Sequence, residues 1–82
     1  MKIKLLLFAY LIQDVGSNSI EMNISGEECE MKHLHEKLTE KYPALKNKIN
    51  HIQCAVNQIM VDSNAIIRDG DEVALMPPFS GG

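Results

Sequence analysis

Only one segment of this chain has the periodicity of a helix, and segments that alternate like strands lie on both sides of it. In that segment Met31, Leu34, Leu38 and then Tyr42 recur at helical spacing before Pro43 ends the pattern. The predicted order is β-β-α-β-β-β, with room for one further short helix. A helix between a hairpin and later strands must cross one face of their sheet.

The strands are predicted from alternation and from turn residues. On the first, placed at residues 2–10, one apolar face is formed by Ile3, Leu5, Leu7 and Ala9, and the other face carries Lys2, Lys4, Leu6 and Phe8. A turn or short helix over 11–15 leads to a second strand at 20–24. Later strands are placed at 52–56, 59–61 and 72–76, with turns at 57–58 and 69–71.

The helix is predicted to begin near Ser25. Ser25 can cap it, and Glu28 follows three residues later as in a capping box. Glu28 and Lys32 then form a favourable i,i+4 pair.

These elements predict an α+β chain with the ubiquitin-like β-grasp fold, a mixed sheet of about five strands packed on one main helix. A ferredoxin-like sheet with an overlooked helix is the alternative. Residues 1–76 form the body, and residues 77–82 form a C-terminal arm of the same single domain.

Composition limits the possible functions. With a net charge of −3, the chain lacks the basic surface expected of a nucleic-acid binder. Cys29, placed in the helix, and Cys54, placed in a strand, are too few for a disulfide framework and are expected to be reduced thiols. No phosphate-binding glycine motif is present, so we expect this chain to bind neither a cofactor nor ATP by itself.

Other local patterns have ordinary interpretations. His33, His35 and His51 are not spaced for metal binding, and we expect them to be solvent-exposed. Lys2 and Lys4 before the apolar run 5–12 could suggest a signal peptide, but a small-residue cleavage site is missing and a strand is favoured. No run approaches the ~20 apolar residues of a membrane span, so we expect a cytoplasmic protein.

The arm is the segment that most directly indicates a function, and it consists of Pro77, Pro78, Phe79, Ser80, Gly81 and Gly82. Six extended residues reach at most ~20 Å. The prolines stiffen the base, and the glycines allow close passage through a narrow tunnel. The only reactive group is the Gly82 carboxylate, which must first gain a leaving group, most simply AMP from ATP. Sulfur or an amine can then capture the acyl-adenylate. The alternative is an inert flexible tail.

Three segments together resemble the small subunit of molybdopterin synthase: DGDEVALMPPFSGG (69–82), AVNQ (55–58) and Phe8-Ala9. The resemblance implies that an adenylating enzyme activates Gly82 with ATP and that a sulfur donor protein converts it to a thiocarboxylate. It also implies that the arm enters the large subunit, in a heterotetramer of two small and two large subunits. There the thiocarboxylate would donate sulfur to cyclic pyranopterin monophosphate, forming the molybdopterin dithiolene.

The same resemblance implies a docking surface for the large subunit at Phe8, Met60 and Met76. Alternation agrees, because Phe8 and Met76 lie opposite the apolar rows of their strands and should be exposed. Scattered surface hydrophobes are the alternative. Other possible functions are a ubiquitin-like modifier joined to lysines through Gly82, a sulfur carrier for thiamine synthesis or tRNA thiolation, and an interaction domain with an inert tail.

Overall fold

The computed structural model describes residues 1–78 of the chain. Its strands are β1 (Lys2–Leu7), β2 (Ser19–Asn23), β3 (Glu28–Glu30), β4 (Gln53–Val56), β5 (Ile59–Val61), β6 (Ile66–Arg68) and β7 (Glu72–Met76). Its helices are α1 (Leu11–Val15), α2 (Met31–Lys41) and a 3-10 turn at Pro43–Leu45. Neither α-helix of this part of the chain is long and apolar enough to cross a membrane.

Five of the strands form one mixed sheet in the order β2-β1-β7-β4-β5. β1 and β7 are parallel, and every other neighbouring pair is antiparallel. Because β1 and β7 run in the same direction, their C-terminal ends lie at the same end of the sheet. The predicted β-grasp architecture, a mixed five-stranded sheet with one main helix, is confirmed.

The core lies between α2 and one face of this sheet. The predicted stripe of Met31, Leu34 and Leu38 is 0% exposed. It meets the inward residues of the two central strands, which are Ile3, Leu5, Leu7, Val73 and Leu75. Burying each such side chain contributes about 1.5–3 kcal/mol, so this contact is a major stabilising contribution to the fold.

The predicted start of α2 is wrong. The helix begins at Met31, and Glu28–Glu30 is instead a strand that pairs with β6 in a separate two-stranded sheet. The amides of Met31 and Lys32 donate to the carbonyls of Ala65 and Ser63 at 2.8 and 3.0 Å. A distant loop therefore satisfies two of the free N–H groups of the first turn, and the helix begins without the predicted serine cap.

The later start of the helix also changes the interaction predicted for Glu28 and the location predicted for Cys29. Glu28 contacts Arg68 across the small sheet at 3.4 Å, and Lys32 contacts Glu30 at 3.3 Å. Cys29 lies in β3, opposite Ile67, and not in a helix.

β1 is shorter than predicted, because the chain turns after Leu7. The Phe8 amide still donates to the Leu75 carbonyl, at 3.2 Å, but the Phe8 carbonyl accepts from the Leu11 amide. Ala9 has a left-handed backbone (φ 54) and is exposed, so it does not continue the buried row of β1. The turn leads directly into α1, which confirms the short helix predicted over 11–15.

Two predicted turns lie against each other at the end of the sheet opposite the arm. Asn57 (φ 51) donates from Nδ2 to Asp71 Oδ1, and its own Oδ1 accepts from the Glu72 amide, both at 3.0 Å. The Asn57 amide also donates to the Glu72 carbonyl at 2.8 Å. These bonds tie the β4–β5 turn to the start of β7 and fix where β7 lies between its neighbours.

Candidate docking surface at the arm base

The arm base follows the central strand of the sheet, so it leaves the body at the middle of one end of the sheet. β7 ends at Met76, between β1 and β4, and is followed by half-buried Pro77 and exposed Pro78. Neither proline has an N–H to continue the ladder, so pairing stops here. The predicted roles of Phe79, Ser80, Gly81 and Gly82 fall outside the described residues.

The face of the large sheet that lies opposite α2, called here the outer face, carries the three predicted docking residues. The strand register aligns one row across four strands, Leu6, Ala74, Ala55 and Met60. The next row toward the arm contains Phe8, Met76 and Gln53. Phe8, Met60 and Met76 therefore share one face at the end of the sheet from which the arm leaves.

Exposure differs among these three residues. Phe8 is 45% exposed and Met60 is 53% exposed, whereas Met76 is half-buried and less open than alternation alone suggests. Small Ala55 and Ala74 lie between them and leave a shallow floor between larger apolar side chains. An exposed apolar patch of this kind is typical of a protein interface.

A cleft of about 350 Å³ adjoins this patch on the β1–β2 side. Leu6, Phe8 and Ile12 provide its apolar wall, and Lys4 and Ser19 provide polar groups. The patch therefore continues past Phe8 onto α1.

A lysine from the segment after the 3-10 turn holds α1 in place. Lys48 Nζ lies 2.7 Å from Asp14 Oδ2 and 5.0 Å from the centre of the Tyr10 ring. The Asp14 side chain is only 13% exposed, so this ion pair is better shielded than the other ion pairs among residues 1–78. Because Tyr10 lies in the turn after Phe8 and Asp14 lies in α1, Lys48 restricts both the turn and the helix.

Gln53 is a member of this surface that the sequence analysis did not identify. It pairs with Met76 across β4 and β7 and occupies the row of Phe8. Its Oε1 is buried and has no hydrogen-bond partner among residues 1–78. Alternation with buried Cys54 could have placed Gln53 on the outer face, but only the register puts it beside Met76.

On the inner side of β4, Cys54 contacts a histidine of α2. His35 Nε2 lies 3.2 Å from Cys54 Sγ, so the expectation that His35 is solvent-exposed is wrong. Burial raises the pKa of the Cys54 thiol to about 11 and lowers the pKa of His35. Both groups are therefore neutral, and a neutral buried thiol is not a nucleophile.

Among residues 1–78, the remaining ionisable groups give no indication of a metal site. Burial also raises the pKa of Cys29. Within residues 1–78 no three His, Cys, Asp or Glu side chains are grouped so that they could hold a metal ion. The apolar outer face, next to the arm base, is thus the best candidate for function.

The chain is similar to known proteins over nearly its whole length. The chain matches the ThiS family over residues 5–82. It belongs to that family. Among curated relatives of this ThiS-family chain, the molybdopterin synthase sulfur carrier subunit of Dictyostelium discoideum is 36% identical over 81 residues, which cover 96% of this chain and 94% of that protein.

Two solved structures are informative for this ThiS-family chain. SAMP1 of Haloferax volcanii, a small archaeal modifier protein, has a TM-score of 0.84 and 27% identity, with full coverage of both chains. A chain of the complex of subunits 1 and 2 of the molybdopterin-converting factor from Helicobacter pylori has a TM-score of 0.70 and 25% identity, again with full coverage of both.

Proposed function

We propose that this chain is the sulfur carrier subunit of a molybdopterin synthase and that Gly82 carries the sulfur. The main supporting observation is the parallel pairing of β1 with β7. It brings the arm base, Pro77-Pro78, to the same end of the sheet as Phe8. A partner that binds the outer face would therefore lie next to the point where the arm begins. A curated relative that carries the molybdopterin synthase name matches nearly the whole chain.

The chemistry begins at the Gly82 carboxylate. Its oxygen attacks the α-phosphorus of ATP in an adenylating enzyme, and pyrophosphate leaves. A persulfide sulfur from a donor protein then attacks the acyl carbon, and AMP leaves. Reductive cleavage of the resulting acyl disulfide by a thiol gives the Gly82 thiocarboxylate. This chain supplies the tethered sulfur and no catalytic side chain, and it uses ATP only through the partner enzyme.

The large synthase subunit would be the second partner. Phe8, Met60 and Met76 form the proposed contact, with the arm from Pro77 to Gly82 reaching the reacting pterin. The Helicobacter pylori complex supports a two-subunit assembly. We extend this to a heterotetramer of two small and two large subunits. We expect the reaction in the cytoplasm, where ATP is available and thiols stay reduced.

Intact-protein mass spectrometry tests the sulfur-carrier role. The chain is co-expressed with its adenylating enzyme and a sulfur donor and is purified without alkaline treatment. We expect a species in which sulfur has replaced one oxygen, located in the C-terminal peptide. A chain that remains entirely in the carboxylate form under these conditions would contradict the proposal.

A protein modifier is the second candidate, because the structure is close to that of SAMP1. In that function a lysine amine captures the activated Gly82 and forms an isopeptide bond. Peptide mass spectrometry of cell extract distinguishes the two functions, because a modifier leaves Gly82-linked lysines on other proteins. A carrier leaves only the thiocarboxylate.

A further inference from the structure

Gln53 is the one polar residue in the row that also contains Phe8 and Met76. The register places Met76 directly opposite it, and Met60 lies opposite its strand neighbour Ala55, two residues away on the same face. Apolar residues therefore lie next to this amide across the strand pair, at Met76, and along β4, at Ala55. A surface that worked by apolar contact alone would have no use for an amide beside Met76.

The state of that amide in the free chain is energetically unfavourable. Gln53 Oε1 is buried without a hydrogen-bond partner among residues 1–78. Such an orphaned acceptor destabilises a protein, because it has lost its bonds to water and gained none in return. Pro77 and Pro78, which follow Met76, have no N–H that could donate to it.

We propose that Gln53 is a specificity-determining residue of the docking surface. When the synthase large subunit covers the outer face, the Gln53 side chain turns outward and its carbonyl oxygen accepts a hydrogen bond from a donor on that subunit. This inference rests on the proposed function, because it needs the large subunit as the partner. A partner that offers only an apolar counterpart would leave the amide unpaired and would be rejected.

The proposal can be separated from simple apolar docking by the sign of one effect. Gln53→Met keeps the length of the side chain and makes it apolar. If the surface works by apolar contact alone, this change leaves the affinity for the large subunit equal or higher. If the amide is paired in the complex, the same change raises Kd about tenfold, as expected when one partner of a buried hydrogen bond is removed.

The experiment measures Kd for the large subunit by calorimetry and the melting temperature of the free full-length chain. Asn23→Leu is the matched control, since Asn23 is an exposed amide at the far end of β2. Phe8→Ser reports on the docking surface as a whole. We expect Gln53→Met to melt at or above the wild-type temperature and to bind about tenfold more weakly, with no change in Asn23→Leu.

Three results would overturn the inference, and they can be told apart. Unchanged or tighter binding of Gln53→Met, while Phe8→Ser binds weakly, shows that the surface is right and the role of Gln53 is wrong. A lower melting temperature of Gln53→Met together with weaker binding shows that Gln53 only supports the fold. Unchanged binding of Phe8→Ser shows that the docking surface itself is misplaced, although a Gly82 thiocarboxylate would still establish the carrier.

Discussion

The contact between His35 and Cys54 places two titratable side chains inside the body of the protein. Their atoms are 3.2 Å apart, and burial favours the neutral form of each, lowering the pKa of His35 and raising that of Cys54. Neutral groups avoid the cost of burying a charge. The pair therefore stabilises the packing of α2 on β4 only over the pH range in which both groups stay neutral.

Acid should weaken the fold through His35. Its folded pKa lies below the ordinary 6.5, so between these two values the unfolded chain binds a proton that the folded chain does not. The free energy of unfolding should therefore be fully retained above pH 6.5 and should fall as the pH drops through the folded pKa. Urea unfolding at several pH values checks this.

The matched variants are His35→Gln and His51→Gln. We expect His35→Gln to flatten the acid slope and the exposed His51→Gln to keep it. Equal slopes in the two variants would show that other groups cause the acid sensitivity.

At the scale of elements, the turn that contains Asn57 anchors the strand that carries the arm. Asn57 tolerates a left-handed backbone better than most residues, and its side chain makes two hydrogen bonds to the segment that begins β7. The AVNQ and DGDEV segments are thus two halves of one structural device. Their shared role is to fix the register of β7.

Asn57→Ala should lower the free energy of unfolding by about 1–2 kcal/mol, because it removes both side-chain bonds and places alanine at a positive φ. Chemical denaturation measures the change. Gln58→Ala is the control, since Gln58 also has a positive φ of 73 and adjoins the same turn. Its loss should be clearly smaller, and equal losses would mean that backbone strain alone matters.

Elements with a strong local pattern could be predicted, and elements that depend on distant partners could not. The stripe of α2 and the alternation of β1 and β7 depend only on which residues are apolar. β3 and β6 have three residues each and exist because residues 28–30 meet residues 66–68. The same distant contacts moved the helix start from Ser25 to Met31.

The candidate site divides in the same way. Alternation along β1 could place Phe8 opposite the buried row, and the family resemblance identified Met60; both are exposed. Gln53 could not, because its position in the row depends on pairing with Met76, and the orphaned state of its oxygen depends on the surrounding atoms.

At the scale of the whole molecule, we expect the body and the arm to have separate tasks. The core contacts that stabilise the fold lie between α2 and the inner face of the sheet, all before Met76. Removing Gly82 should therefore abolish sulfur transfer and leave the melting temperature nearly unchanged. Calorimetric melting and a synthase assay measure the two effects, and a large drop in melting temperature would contradict this separation.

The outer face should be the part of the body that a partner recognises. Phe8→Ser should weaken binding of the large subunit tenfold or more, because an exposed aromatic near the centre of an interface contributes strongly. Ile66→Ser is the matched control, since Ile66 is similarly exposed, at 40%, but lies on the small sheet. Comparable losses in both variants would mean that the partner does not distinguish the two surfaces.

The central place of β7 also has a consequence for how the protein is made. β7 leaves the ribosome after every other described strand, yet it separates β1 from β4 in the sheet. Until β7 has been synthesised, the β1–β2 and β4–β5 strand pairs share no hydrogen-bond ladder, so the five-stranded sheet cannot form. A chain cut short before β7 has neither the complete sheet nor the arm. The arm base is therefore never present on a body that lacks part of its sheet, because β7 completes the sheet and Pro77-Pro78 follow it directly.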